Sequence, residues 1–135
     1  MNKLYFAYGA NMHPENMRYR CPDAHPVSPL FLQDWQLQFY SHATIEPKKG
    51  AVTPGVLWSI TEDCELALDR FEGFPYYYTK STWRQGSQEF FFYEMAGNKV
   101  GRPNTYYIED IADSYEYWRL PISLLDDALP EKLCY

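Results

Sequence analysis

Apolar residues recur along the chain in short runs that glycine and proline interrupt, a pattern typical of strands joined by turns. Residues 35–40 alternate apolar with polar side chains. In residues 52–60, Pro54-Gly55 marks a bulge or a close backbone approach. A shorter apolar run, residues 27–32, is flanked and interrupted by prolines and suits an edge strand or a bulge. Strands are predicted near residues 3–8, 35–41, 52–60, 76–84, 88–95 and 104–108.

Helical signals occupy three other segments, near residues 14–20, 61–71 and 114–127. Pro14 suits the first position of a helix, and Thr61 suits a capping position ahead of acidic residues. Gly73 is placed to end the second helix. Pro121 interrupts the third segment and should kink or split it.

The predicted strands outnumber the helices and do not alternate with them regularly. This pattern favours an α+β fold with a mixed sheet or small β-barrel and flanking helices, rather than a doubly wound sheet. A length of 135 residues suits one domain spanning residues 1–135.

The composition excludes some classes of partner and leaves others open. A net charge of −6 argues against binding a nucleic-acid backbone. No apolar run approaches the roughly 20 residues that span a bilayer, so no membrane partner is expected. Aromatic residues reach 19%, with 13 tyrosines, which fits either an aromatic-lined pocket or an aromatic core.

Three cysteines, Cys21, Cys64 and Cys134, lie far apart along the chain. An odd number without a regular spacing predicts reduced thiols in a cytoplasmic protein. The chain enters a strand directly, without a signal-peptide pattern, which favours the same location. Cys21 and His25 have no second ligand pair, so no metal site is predicted. The histidines, His42 among them, show no pattern of a catalytic triad.

The turn after the first strand is the first candidate for chemistry. Gly9 lets a backbone approach a ligand, and the N–H groups of a strand-to-helix turn attract negative charge. The alternative is an ordinary turn in which Asn11 caps the following helix.

Glu72 is the second candidate, because it ends a predicted helix between Phe71 and Gly73. The helix dipole disfavours a carboxylate there, and burial against aromatic rings would raise its pKa towards neutrality. Such a group is suited to general acid–base catalysis. The alternative is a solvated side chain paired with Arg70.

Short motifs follow one another along nearly the whole chain. They are residues 8–12 (Tyr-Gly-Ala-Asn-Met), 17–22 (Met-Arg-Tyr-Arg-Cys-Pro), 43–45 (Ala-Thr-Ile), 54–58 (Pro-Gly-Val-Leu-Trp) and 68–73 (Leu-Asp-Arg-Phe-Glu-Gly). In this order they resemble the γ-glutamylcyclotransferase-like family, which includes plant avirulence-induced proteins and enzymes of butirosin biosynthesis.

The resemblance implies a small β-barrel-like core with flanking helices. It implies intramolecular aminolysis of a small γ-glutamyl substrate, releasing 5-oxoproline and a free amine or amino acid. Glu72 matches the catalytic glutamate. The implied substrate-binding residues are Tyr8, Gly9, Ala10, Asn11, Tyr78 and Tyr117. No cofactor is implied, because the attacking amine belongs to the substrate.

Two positions depart from the family pattern. Ala10 replaces the usual serine, and the segment before Tyr117 lacks the prolines of the family's Pro-Ser-x-x-Tyr region. Loss of the serine hydroxyl leaves open an inactive module that binds a small metabolite in the same pocket. A further alternative is an interaction protein with exposed aromatics such as Tyr115 and Trp118. The identity of the γ-glutamyl substrate and the oligomeric state are not predicted.

Overall fold

A computed structural model describes residues 2–129, which form an α+β fold. The strands are β1 (Lys3–Ala7), β2 (His25–Phe39), β3 (Ala43–Ile60), β4 (Tyr78–Gln85) and β5 (Gln88–Met95). The helices are α1 (Pro14–Arg20), α2 (Glu62–Glu72), α3 (Thr105–Trp118) and α4 (Ile122–Ala128), and Ala10–Met12 form one 3₁₀ turn.

The strands form one mixed sheet in the order β2-β3-β1-β5-β4. β1 pairs antiparallel with β3 and parallel with β5. The predicted barrel is only approximate, because in the described chain β2 and β4 are edge strands that do not pair with each other. The sheet curls enough for the Gln85 side chain to bridge these edges. Its amide accepts from the Gln33 N–H and donates to the Phe31 carbonyl, both at 2.9 Å.

Residues 27–32, which were predicted to form an edge strand or a bulge, belong to the edge strand β2. The separate strands predicted near residues 27–32 and 35–41 form this one strand. β2 is an edge strand, and its pairing with β3 shifts between Pro26 and Ser28. Gly55 marks a close approach, since a Cβ there would lie 2.5 Å from the Ala7 carbonyl oxygen. β1 therefore packs close to β3 just before the chain enters the turn at Gly9.

The strand predicted at residues 104–108 is wrong, because these residues begin α3. The Asn104 side chain caps the helix by accepting a hydrogen bond from the Tyr106 N–H at 2.8 Å. Ile108, Ile111 and Tyr115 are buried at helical spacing. The cap and this apolar stripe outweigh the strand preference of the local Tyr-Tyr-Ile sequence. The predicted break at Pro121 is confirmed, since it separates α3 from α4.

The prediction of reduced thiols is wrong for Cys21 and Cys64, which form a disulfide. Their Cα atoms lie 5.1 Å apart although 43 positions separate them along the chain. Cys21 follows α1, and Cys64 lies in the first turn of α2, so the bond ties the two helices together. Cys134 lies outside the described residues. The disulfide removes the thiol argument for a cytoplasmic location.

The core lies between the curled sheet and the helices. Its largest fully buried side chains include Phe6, Phe92, Leu68 and Tyr115. Burial of Tyr115 contradicts the interaction surface considered above. Trp118 donates its indole N–H to the Met12 carbonyl at 2.8 Å and thus holds α3 against the 3₁₀ turn. In residues 2–129, no helix has the length and apolar character needed to cross a membrane.

Candidate active site

A cavity of about 410 Å³ opens where the turn after β1, the end of α2 and the start of α3 meet. Its wall consists of tyrosines, backbone of the turn, and the last residues of α2. The lining residues are Tyr5, Tyr8, Gly9, Ala10, Asn11, His42, Ala43, Arg70, Phe71, Glu72, Gly73, Tyr77, Tyr78, Tyr93 and Tyr107. A cavity of this size suits a small molecule.

Residues 9–11 form the turn after β1 and line this cavity. None of the described residues accepts a hydrogen bond from the N–H groups of Gly9, Ala10 or Asn11. The turn is held by Asn16, whose amide donates to the Ala10 carbonyl at 2.9 Å. These N–H groups can therefore receive a carboxylate or a developing oxyanion.

Asn11 does not cap α1, contrary to the alternative interpretation of the turn. The cap is His13, whose Nδ1 accepts from the Glu15 N–H at 3.3 Å. The buried Asn11 side chain instead donates through Nδ2 to the Tyr5 hydroxyl at 3.2 Å and to Glu72 Oε1 at 3.5 Å. Asn11 thus joins the turn to the end of α2.

Glu72 is the last residue of α2, and Gly73 then adopts the left-handed conformation with φ 65°. This cap turns the chain so that the carboxyl lies in the cavity wall. Burial raises the pKa of Glu72 to about 7, although the Arg20 guanidinium acts to lower it. In the described chain no ion pair joins Glu72 to Arg70. The carboxyl is therefore poised to exchange a proton near neutral pH.

Tyr8 and Tyr78 line the cavity as expected, but their hydroxyl protons point into the protein. Tyr8 donates to the Tyr93 carbonyl at 2.5 Å, and Tyr78 donates to the Ala43 carbonyl at 2.6 Å. Burial raises the pKa of both groups. Each hydroxyl has one proton, so these tyrosines shape the wall and can only accept from a ligand.

Tyr117 does not join the other predicted site residues, because its side chain is 63% exposed and lies outside the cavity. Tyr107 of the same helix lines the cavity instead. Ten residues make about 2.8 helical turns, which directs Tyr117 roughly a quarter-turn away from Tyr107. The missed signal was Pro103 followed four residues later by Tyr107, which fits Pro-Ser-x-x-Tyr with Asn104 in the serine position.

The Tyr107 hydroxyl accepts from the Ala43 N–H at 3.0 Å, which leaves its own proton available to a ligand. His42 also lines the cavity, although the sequence shows no pattern that predicts a role for it. Its Nδ1 lies 3.0 Å from the Tyr77 hydroxyl, and burial lowers its pKa. Within residues 2–129, no group of three or more His, Cys, Asp or Glu side chains is arranged to hold a metal ion.

A family model described as gamma-glutamyl cyclotransferase, AIG2-like, matches residues 5–119. No curated protein sequence gives a significant match. Among solved structures, one named gamma-glutamyl cyclotransferase has a TM-score of 0.84 at 23% identity, covering 98% of this chain and 96% of its own. The uncharacterized protein loc79017 from Homo sapiens has a TM-score of 0.81 at 24% identity, covering 98% and 95%. YkqA from Bacillus subtilis has a TM-score of 0.71 at 20% identity, covering 93% and 52%.

Proposed function

Since the chain belongs to the gamma-glutamyl cyclotransferase, AIG2-like family, we propose that it cyclises a γ-glutamyl compound. The products are 5-oxoproline and a free amine or amino acid. The observation that carries this proposal is the position of Glu72. Its partly buried carboxyl, with a pKa raised to about 7, lines the same cavity as residues 9–11, whose N–H groups have no acceptor within residues 2–129.

In the proposed reaction the α-amine of the substrate attacks its own γ-carbonyl carbon. A C–N bond closes the five-membered ring, and the amine gives a proton to the Glu72 carboxylate. The original γ-amide C–N bond then breaks, and Glu72 returns a proton to the leaving amine. The cavity contributes by holding the substrate folded, because ring closure depends on the proximity of the reacting atoms.

The N–H groups of Gly9, Ala10 and Asn11 are the proposed donors to the negatively charged part of the substrate. The Tyr107 hydroxyl, whose proton has no acceptor among residues 2–129, is a further proposed donor. Cyclisation in this scheme needs no enzymic nucleophile and no cofactor, since both reacting groups belong to the substrate.

A second candidate function is a module that binds a γ-glutamyl metabolite without turning it over. The specific observation in its favour is Ala10, which lines the cavity with a methyl group where the family usually has a hydroxyl. The loss of one donor affects the stabilisation of the reacting group more than the shape of the cavity.

The test is a screen of γ-glutamyl amino acids, γ-glutamyl amines and glutathione for release of 5-oxoproline. We expect turnover of at least one class, and loss of turnover in Glu72→Gln. Binding of the same compounds by calorimetry without any 5-oxoproline would favour the binding module. If the protein neither binds nor turns over any of these compounds, both functions are contradicted.

A further inference from the structure

We propose that Arg20 is a positioning residue of this site, which orients Asn11 and keeps the Glu72 carboxylate available as a base. The role of Glu72 as a base rests on the proposed function, whereas the effect of Arg20 on Glu72 does not depend on it. Arg20 does not line the cavity, so it reaches the substrate only through these two residues.

A chain of hydrogen bonds leads from Arg20 to Glu72. A guanidinium nitrogen of Arg20 donates to Asn11 Oδ1 at 3.0 Å. This bond fixes the side-chain amide of Asn11 with Nδ2 towards Glu72 and the Tyr5 hydroxyl. With the amide reversed, the carbonyl oxygen would face the Glu72 carboxylate and repel it. Arg20 therefore selects the orientation of Asn11 that supports the charged form of Glu72.

Arg20 is held in this position from two sides. Its guanidinium lies 3.7 Å from the centroid of the Phe71 ring, on the residue that precedes Glu72. The next residue along the chain, Cys21, is bonded to Cys64 of α2. The end of α1 is thus bonded to the first turn of α2, and stacking on Phe71 holds the Arg20 guanidinium at the other end of that helix.

Arg20 also supplies the positive charge that acts on Glu72, lowering a pKa that burial raises. Arg70 and His42 line the same cavity as Glu72. The tyrosines that interact electrostatically with Glu72 belong to β1, β4, β5, α3 and the adjoining turn, namely Tyr5, Tyr78, Tyr93, Tyr107 and Tyr8. Burial raises the pKa of each of these tyrosines, so the tyrosines carry no charge near neutral pH. Burial lowers the pKa of Arg20, and electrostatic interactions with the exposed Asp110 of α3 and Tyr19 of α1 act to raise it.

The decisive experiment is a pH titration of the Glu72 carboxyl by carbon NMR in protein labelled at glutamate, with the resonance assigned from Glu72→Gln. It requires no substrate, so its result does not depend on the proposed function. Arg20→Met removes the charge and the donor, and Arg20→Gln removes the charge but keeps a donor. Arg20→Lys keeps the charge. Arg18→Met, on an exposed residue of the same helix, is the matched control.

We expect the Glu72 pKa to rise by roughly one unit in both neutral variants and to stay near the wild-type value in Arg20→Lys and Arg18→Met. If Glu72 has the same pKa in folded Arg20→Gln as in wild type, the proposal is overturned. If Arg20→Met does not fold, Arg20→Gln alone decides.

The pH profile of kcat/KM is the second readout. Raising the pKa of the base from about 7 to about 8 lowers its ionised fraction at pH 7 about fivefold, and the loss disappears above pH 9. A loss of activity equal at all pH values would mean a structural role only, and would overturn the assignment of Arg20 to the ionisation of Glu72.

Discussion

Asn11 Nδ2 lies 3.5 Å from Glu72 Oε1, although 61 positions separate the two residues along the chain. Asn11 belongs to the turn that follows β1, and Glu72 ends α2. Their contact brings backbone donors for negative charge next to a carboxyl that can exchange a proton.

Glu72→Gln should keep the fold and abolish cyclisation. The substitution preserves the shape of the side chain but removes its ability to accept and return a proton. General acid–base catalysis contributes roughly 10²–10⁴-fold in rate, so a loss of that size is expected in 5-oxoproline release. Glu62→Gln, at the exposed start of the same helix, is the control and should retain activity. Equal rates in wild type and Glu72→Gln would remove Glu72 from the mechanism.

The same substitution should change how stability depends on pH. The pKa of Glu72 is about 7 in the folded protein against 4.5 for an ordinary glutamate, so folding favours the protonated form. The stability that the protonated carboxyl provides is fully present below pH 4.5 and is lost as the pH rises through 7. Glu72→Gln should therefore match wild type near pH 4.5 and exceed it by roughly 3 kcal/mol in unfolding free energy at pH 8. Chemical denaturation at both pH values measures the difference, and parallel pH curves would contradict a Glu72 whose pKa is raised in the folded protein.

Tyr107→Phe should weaken both substrate turnover and the fold, whereas Tyr117→Phe should change neither. The Tyr107 hydroxyl accepts from the Ala43 N–H, and its removal leaves that donor unpaired at a cost of about 1–3 kcal/mol. We expect kcat/KM to fall about tenfold through loss of a hydrogen bond to the substrate. Kinetics and melting temperatures of the two variants, compared side by side, check this. A larger effect at Tyr117 would restore the original assignment.

Reduction should destabilise the protein by opening the bond between Cys21 and Cys64. Closing a loop across 43 positions is worth roughly 4 kcal/mol through the entropy of the unfolded chain. Thiol titration in denaturant should find two more free thiols after reduction than before it. Three free thiols in the untreated protein would contradict the bond.

Much of the local structure could be predicted because its causes lie within a few residues. Pro14 begins α1, the Thr61 side chain accepts from the Cys64 N–H at 3.2 Å to cap α2, and Gly73 ends that helix. Gly55 was predicted to mark a close approach, and a Cβ there would clash with Ala7. The α+β class follows from the same signals, since they fix the number and spacing of strands and helices.

The error at residues 104–108 shows where local preference fails. Tyr106, Tyr107 and Ile108 favour strands by residue type, yet Asn104 caps them into a helix whose inner face packs against the core. The family's Pro-Ser-x-x-Tyr region was matched to the segment before Tyr117, whereas Tyr107 is the tyrosine that lines the cavity. Which of the tyrosines of α3 lines the cavity depends on how this helix packs against the core, and Tyr107 does so.

The sequence alone determined the turn at Gly9, the carboxyl at Glu72 and the caps that begin and end the helix carrying it. Only the tertiary structure decided that Tyr107 enters the cavity, that Cys21 meets Cys64, and that Arg20 reaches Glu72 through Asn11. The physical reason is range. Caps, turns and periodic patterns act over a few residues, whereas these contacts depend on how the sheet curls and how the helices pack against it.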